Sequence, residues 1–155
     1  MRGMRIALTI IGLCLSLSLA AQTYVYAGNS VYSSDIVCTV VDNTIYRGRS
    51  TYSSDIVATF DGTYFYKGST KYTSDIIATW QSNTIYQGRS TYNSDIVARW
   101  KDGTMYGRLT YQSDALFRYA DNKVYKGTSV YTSDIILRTS ASLHPALLYI
   151  ICTLF

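Results

Sequence analysis

Apolar and polar side chains alternate along most of this chain in short runs that repeat about every 20 residues. Within residues 56–66, two runs rich in Val, Ala, Phe, Tyr and Thr flank the pair Gly62-Thr63. Such alternation predicts half-buried β-strands, and Asn, Asp or Gly between two runs predicts a two-residue hairpin turn. Each repeat is therefore predicted to form one β-hairpin.

A Tyr-x-Gly motif and a Ser-Asp pair mark every repeat. The step is 20 residues, except for one step of 19 where Gly107 directly follows Tyr106. A fixed period of this size indicates a repeat architecture. We predict structural roles for the repeated Gly, which shape turns, and for the repeated Asp, which tie loops. These residues are Gly28, Gly48, Gly68, Gly88, Gly107 and Gly127, and Asp35, Asp55, Asp75, Asp95, Asp114 and Asp134.

A two-residue turn fixes which residues face each other across a hairpin. Phe60 then faces Phe65, and this apolar pair is predicted to point into the core together with Ile56. Thr59 faces Tyr66, and this more polar pair is predicted to face solvent or a neighbouring unit. The other repeats carry equivalent pairs at the same positions.

The two ends of the repeat region are unmatched halves of a hairpin. Residues 23–26 resemble the second strand of a unit, and residues 135–139 resemble the first. Aligned on the repeat, Val25 faces Thr139. We therefore predict an all-β fold, a closed ring of six β-hairpins whose last hairpin is completed by the N-terminal strand, since closure removes free strand edges. An open β-hairpin solenoid is the alternative, and it would need polar caps.

Residues 1–20 have the features of a secretory signal peptide. Arg2 and Arg5 precede an apolar run over residues 6–19, and small residues follow at the expected cleavage site. The run is shorter than the roughly 20 residues that span a bilayer. We therefore expect a secreted, periplasmic or cell-surface protein.

The rest of the chain divides into two segments. Residues 22–140 hold the six repeats, and residues 141–155 form an apolar tail. The tail is too short to span a bilayer. We expect it to cover one open end of the ring, with contact to a membrane surface or a partner as the alternative.

Composition argues against several classes of function. The 155 residues include 16 Tyr and no Glu, and the formal net charge is +4. Removal of a signal peptide takes away Arg2 and Arg5, which leaves +2. Because phosphate recognition needs a concentrated basic patch, nucleic acid is not an expected partner.

The polar motifs favour structural roles. Six Asp carboxylates could ring a calcium ion, but the acidic spacing of a calcium loop is missing, and we expect each Asp to cap a turn through backbone N–H groups. Tyr in the connections is expected to act as a spacer between units, with stacking on sugars as the alternative. These residues are Tyr52, Tyr72, Tyr92, Tyr111 and Tyr131.

His144 and the cysteines complete the candidate chemistry. His144 is the only histidine, and nothing in the sequence supplies a nucleophile and an acid for a triad. Cys38 occupies a position where other repeats have Ala, which favours a small buried thiol, while a disulfide with Cys152 is the alternative. We predict no catalytic, cofactor-binding or metal-binding residues and no cofactor.

The run over residues 45–62, Ile-Tyr-x-Gly-x-Ser-Thr-Tyr-x-Ser-Asp-Ile-Val-Ala-Thr-Phe-Asp-Gly, resembles the hairpin repeats of the β-flower proteins. The resemblance covers about residues 22–140. It implies a shallow, rotationally symmetric ring of hairpins, a bacterial source and no established reaction. Cell-wall choline-binding repeats share the period, but their Gly-Trp pairs are missing, and Trp occurs here only at Trp80 and Trp100.

Together these features predict a non-enzymatic structural or interaction module of the cell envelope or secreted fraction. The alternative is a module that binds a glycan, a lipid or a membrane. The expected partner is therefore a cell-envelope glycan, a lipid surface or a protein. A secreted hydrolase would need paired carboxylates in a pocket.

Overall fold

The computed structural model describes residues 20–155, which form twelve strands, six 3-10 turns and one α-helix. The predicted signal peptide lies outside the described residues, apart from Ala20. The helix is α1 (Pro145–Leu154). The strands are β1 (Thr23–Ala27), β2 (Ile36–Val41), β3 (Thr44–Arg47), β4 (Ile56–Phe60), β5 (Tyr64–Lys67), β6 (Ile76–Gln81), β7 (Thr84–Gln87), β8 (Ile96–Lys101), β9 (Thr104–Tyr106), β10 (Ala115–Ala120), β11 (Lys123–Lys126) and β12 (Ile135–Thr139).

The twelve strands close into a ring. Each strand pairs antiparallel with its neighbours in sequence, and β1 pairs with β12, so that Val25 lies opposite Thr139. The backbone N–H of Tyr24 donates to Ser140 Oγ (2.8 Å), and the N–H of Ser140 donates to the Tyr24 carbonyl (2.9 Å). The predicted closed ring with a composite last hairpin is confirmed, and the open solenoid is wrong.

The hairpin turns have the backbone that their residues favour. Asp42 and Asn43 both have positive φ (47° and 61°), as mirror-image two-residue turns require. In the second hairpin, Gly62 takes a φ of 101°. The predicted register is also confirmed, because Phe60 pairs with Phe65 and their rings stack at 4.2 Å between centroids.

A β-bulge at the start of every hairpin changes which residues point inward. Ile45 pairs with Ala58 and Tyr46 pairs with Ile56, so Val57 is the extra residue. Val57 and Ala58 pack in the apolar core, whereas Ile56 does not belong to that cluster. The prediction that Ile56 points into the core is therefore wrong, because the extra residue breaks the strict alternation.

The ring has two distinct ends. The hairpin turns at residues 42–43, 62–63, 82–83, 102–103 and 121–122 lie at one end, which we call the turn end. The connections between hairpins lie at the other, which we call the loop end, because antiparallel neighbours reverse direction at each connection. These connections are residues 28–35, 48–55, 68–75, 88–95, 107–114 and 127–134.

The core lies inside the ring and is completed by α1. Each unit contributes one fully buried side chain from its second strand, namely Val25, Ile45, Phe65, Ile85, Met105 and Val124. Helix α1 adds Ala146, Leu147, Leu148, Ile150 and Ile151, all at most 5 % exposed. Trp80 and Trp100 pack against this core. A helix that is apolar almost all round is typical of a buried position.

Helix α1 runs from the turn end to the loop end. His144, just before the helix, contacts the rings of Phe60 and Trp80 beside the hairpin turns. At the other end, Phe155 shares a cleft with Ile136 at the loop end of β12. The ten residues span about 15 Å, close to the length of a five-residue strand. The tail was predicted to cover one open end of the ring, and its helix α1 also fills the interior of the ring.

Among residues 20–155 there is no helix with the length and apolar character needed to cross a membrane.

Candidate interaction surface

Five of the six connections at the loop end are tight turns tied by a bond between a Ser or Thr hydroxyl and an Asp carboxylate. In residues 48–55, Ser50 Oγ donates to Asp55 Oδ2 (2.5 Å) and accepts the backbone N–H of Tyr52 (3.1 Å). The N–H of Asp55 donates to the Tyr52 carbonyl (2.9 Å) at the 3-10 turn. Local bonds of this kind stabilise turns. Together they fix the backbone on both sides of Tyr52.

The same bond between a hydroxyl and a carboxylate recurs in four other connections. The pairs are Ser30–Asp35, Thr70–Asp75, Ser90–Asp95 and Ser129–Asp134. The expectation that each Asp caps backbone N–H groups directly is therefore wrong. The carboxylate accepts a hydroxyl five residues earlier, and in most connections that hydroxyl accepts the backbone N–H.

The six predicted Asp residues are not brought together. Each lies in its own connection around the ring. Within the part of the chain that the structure describes, no group of three or more His, Cys, Asp or Glu side chains could hold a metal ion. The repeated Gly follow the same arrangement: five of the six have φ between 57° and 67°, where a side chain would be strained, and Gly107 does not.

The fifth connection, residues 107–114, departs from the pattern. Leu109 stands where the other connections have Ser or Thr, so this position offers Asp114 no hydroxyl. The N–H of Gly107 donates to the Asp114 carbonyl (2.8 Å), whereas the other five repeated Gly donate to a carbonyl in the first strand of their own hairpin. The shortened repeat thus closes differently, and an open cleft of about 470 Å³ lies between Leu109 and Leu116.

The connections present six tyrosines to solvent, which we call the tyrosine ring. Their side chains are 67–76 % exposed, and each stands one residue before a 3-10 turn in an extended backbone conformation. The expectation that these tyrosines are spacers packed between units is therefore wrong. The members are Tyr32, Tyr52, Tyr72, Tyr92, Tyr111 and Tyr131.

The outer face of the strands is more buried than its polarity suggests. Thr39, Thr59 and Thr79 are 0–9 % exposed, and each donates its hydroxyl to the carbonyl of the Gly nine residues later (2.7–2.9 Å). The connection of the same repeat therefore covers these threonines. The prediction that they face solvent or a neighbouring unit is wrong. Arg118 lies 4.3 Å from the centroid of the Tyr125 ring, which it faces across the hairpin of β10 and β11.

His144 and the cysteines have structural positions. His144 Nδ1 accepts the backbone N–H of Ala146 (3.1 Å) and so caps helix α1. Cys38 is fully buried, and Cys152 lies on α1 near it, both as free thiols. Burial raises the pKa of each thiol to about 12, so neither is a reactive thiolate near neutral pH.

A group of exposed apolar side chains at the loop end was not predicted from the sequence. Val31 and Val130 precede their tyrosines where other connections have Thr51, Lys71 and Thr91. Both valines are exposed (56 % and 64 %). The signal was present in the repeat alignment, because a departure toward apolar residues at an exposed repeat position is readable from the sequence.

The comparisons agree with this architecture. The sequence model of a family described as "6-fold beta flower protein" matches residues 25–151, which is more than half of the chain. No curated protein and no solved structure matches. The matched region contains all six hairpin units and most of the central helix. The chain therefore belongs to the six-fold β-flower family.

Proposed function

We propose that this protein is a non-enzymatic interaction module that binds its partner through the loop end. The observation that carries the proposal is the tyrosine ring. Six aromatic side chains stand 67–76 % exposed at equivalent positions on a rigid ring. Tyrosine is enriched at binding surfaces because it has an apolar face and a polar tip and loses little conformational entropy.

A non-enzymatic role is supported by what the polar groups already do. Five of the six repeated Asp side chains accept a hydroxyl inside their own connection. His144 caps a helix. General acid–base chemistry needs such groups within reach of one reacting atom, and here they serve separate turns around the ring.

The proposed location is the cell envelope or the secreted fraction. The charged start and the apolar run over residues 6–19 support export through a signal peptide. A cell-envelope glycan, a lipid surface or a protein of the same compartment is then the partner. Nucleic acid is not proposed, since the net charge of the chain without residues 1–20 is only +2.

The experiment compares the two ends of the ring. Purified protein is mixed with isolated bacterial envelope material, and the fraction that sediments with it is measured. One variant removes three exposed rings through Tyr52→Ser, Tyr72→Ser and Tyr92→Ser. A matched variant carries Gln81→Ala and Lys101→Ala, two exposed residues at the turn end.

We expect the wild type and the turn-end variant to sediment alike, and the tyrosine variant to lose at least tenfold in affinity. Circular dichroism should show the same fold for all three, because the replaced rings lie outside the core. Equal binding by the tyrosine variant, or no binding by any of them, would contradict the proposal.

A further inference from the structure

The exposed apolar side chains are concentrated at one end of the ring. Thirteen large apolar or aromatic side chains are exposed among residues 20–155. All of them lie in the connections, on the second residue of a following strand, or at the C-terminal end of α1, and so at the loop end. Six are the tyrosine ring. An exposed apolar patch of this kind marks an interaction surface.

Apart from Leu154 at the end of α1, the exposed aliphatic side chains are confined to one side of the loop end. They come from the connections 107–114, 127–134 and 28–35 and the strand residues that follow, and these connections are adjacent because β12 pairs with β1. Phe155 lies beside this side, in the cleft with Ile136. We call the group the apolar sector: Val31, Leu109, Leu116, Val130, Ile136 and Phe155, which are 40–64 % exposed.

The other side of the loop end is basic. The connections 48–55, 68–75 and 88–95 carry exposed Arg49, Lys71 and Arg89. The residue before Tyr is polar in all three, as Thr or Lys. The exposed aliphatic residues are thus confined to one side of this surface, whereas basic residues occur on both sides, with Arg108 and Lys126 beside the apolar sector, and the tyrosine ring runs through both sides.

The charges of the ring differ between its two ends. The loop end carries seven exposed Lys or Arg, and the side chains of Arg99, Arg118 and Arg138 reach acceptors in its connections. Those ten cations against six Asp give a net charge of +4. The turn end has four Asp against two Lys, a net charge of −2. The loop end therefore attracts an anionic surface, and the turn end is repelled by it.

We propose that the loop end docks onto the surface of an anionic lipid bilayer. The apolar sector inserts at the boundary between headgroups and acyl chains, the tyrosine ring lies among the headgroups, and Arg49, Lys71 and Arg89 contact lipid phosphates. Tyrosine belts, apolar anchors and basic residues on one face are the combination that interfacial membrane proteins use. This inference rests on the proposed function and names the partner of that same surface.

The apolar sector distinguishes a bilayer from a glycan. Sugars stack on aromatic faces, and the tyrosine ring alone would serve them. Val31, Leu109 and Val130 offer a sugar neither a flat face nor a hydrogen bond. Inserted into a bilayer, they remove apolar surface from water, which is favourable. The apolar sector therefore contributes to binding a lipid surface but not to binding a polysaccharide.

The test is sedimentation with unilamellar vesicles of phosphatidylglycerol and phosphatidylcholine (1:1), compared with vesicles of phosphatidylcholine alone. A sector variant carries Val31→Thr, Leu109→Ser and Val130→Thr, which places residues found in other repeats at these positions. A charge variant carries Arg49→Gln, Lys71→Gln and Arg89→Gln. Lys101→Gln at the turn end is the matched control.

The wild type and Lys101→Gln should bind the anionic vesicles, less so in 0.5 M salt, and should bind neutral vesicles weakly. The sector variant should lose at least tenfold in affinity. The charge variant should lose about a hundredfold in affinity, since each of its three removed cations contributes a factor of about five near the surface. Unchanged binding by both variants, or equal binding to neutral vesicles, overturns the lipid assignment.

The outcomes separate this inference from the proposed function. A protein that ignores vesicles but sediments with purified cell-wall polysaccharide through the tyrosine ring overturns the lipid partner and leaves the interaction module standing. A protein that binds neither vesicles nor envelope material overturns both.

Discussion

At the scale of the residue, a single hydroxyl organises five of the six connections. Ser50 Oγ joins Asp55 and the backbone of Tyr52 in one small network, and the same network recurs around the ring. A bond to a charged group is stronger than a neutral one. The backbone of Tyr52 is therefore fixed by the Ser50 hydroxyl, while the Tyr52 side chain stays exposed and takes no part in the bond.

Replacing Ser50 by Ala removes a donor to the carboxylate and an acceptor for the N–H of Tyr52. We expect Ser50→Ala to lower the free energy of unfolding by about 1–2 kcal/mol, measured by urea denaturation. Ser54→Ala is the control, because Ser54 is exposed and its hydroxyl bonds to no described residue; it should change stability by less than about 0.5 kcal/mol. Equal effects of the two changes would show that the network contributes nothing.

The residue-scale chemistry was only partly predictable. The repeat identified Tyr and Asp as invariant members of the unit, with Ser or Thr at the position of Ser50 in all but one repeat, but it did not show that Ser50 and Asp55 bond to each other. That contact depends on the 3-10 turn that brings residues five apart together. The exposure of Tyr52 was also missed, since an amphipathic side chain fits equally well between units and at a surface.

At the scale of the element, α1 and the bulges differ most from what the pattern indicated. The tail is apolar at nearly every position, so it has no period from which a helix can be told from a strand. The bulge adds Val57 to β4 without any Gly to mark it. Hairpin turns were predictable because Asp42-Asn43 and its equivalents favour positive φ.

The N-terminal cap of α1 makes stability depend on pH. Packing against Phe60 and Trp80 partly desolvates the His144 imidazole and lowers its pKa below the usual 6.5. As the pH falls, His144 is therefore protonated at a higher pH in the unfolded chain than in the folded protein. The stability from the neutral cap is fully present above about pH 6.5 and is lost as the pH falls from there through the folded pKa.

We expect the urea midpoint to fall between pH 7.5 and pH 5. His144→Asn keeps a cap acceptor that does not titrate, so the fall should be smaller in this variant. Because His144 is the only histidine, the difference between the two curves reports this group. If the urea midpoints of the wild type and His144→Asn fall in parallel with pH, protonation of His144 does not affect stability.

At the scale of the whole molecule, ring and helix share one core. Every unit of the ring contributes a fully buried side chain, and α1 places five more among them. An isolated hairpin is marginal in water. The six units and the helix should therefore unfold together. The unmatched ends of the repeat made the closed ring predictable, since β1 and β12 each lacked the strand that the other supplies.

The two thiols give a direct test of this cooperativity. Cys38 lies on β2 and Cys152 on α1, and burial raises the pKa of both to about 12. We expect neither to react with a water-soluble maleimide at pH 7.5, and both to react at the urea concentration where tryptophan fluorescence reports unfolding. Peptide mass analysis identifies each labelled cysteine. Labelling of Cys152 alone in the native protein would show that α1 leaves the ring independently.

The pairing of β1 with β12 also delays closure of the ring during biosynthesis. Tyr24 and Ser140, which bond across it, are 116 residues apart in the chain. A ribosome adds about 5–20 residues per second, so the first strand waits several seconds for its partner, and the axial helix emerges later still. The ring therefore cannot close before β12 has been synthesised. Until β12 has been synthesised, the first strand keeps one unpaired edge, which a chaperone can bind.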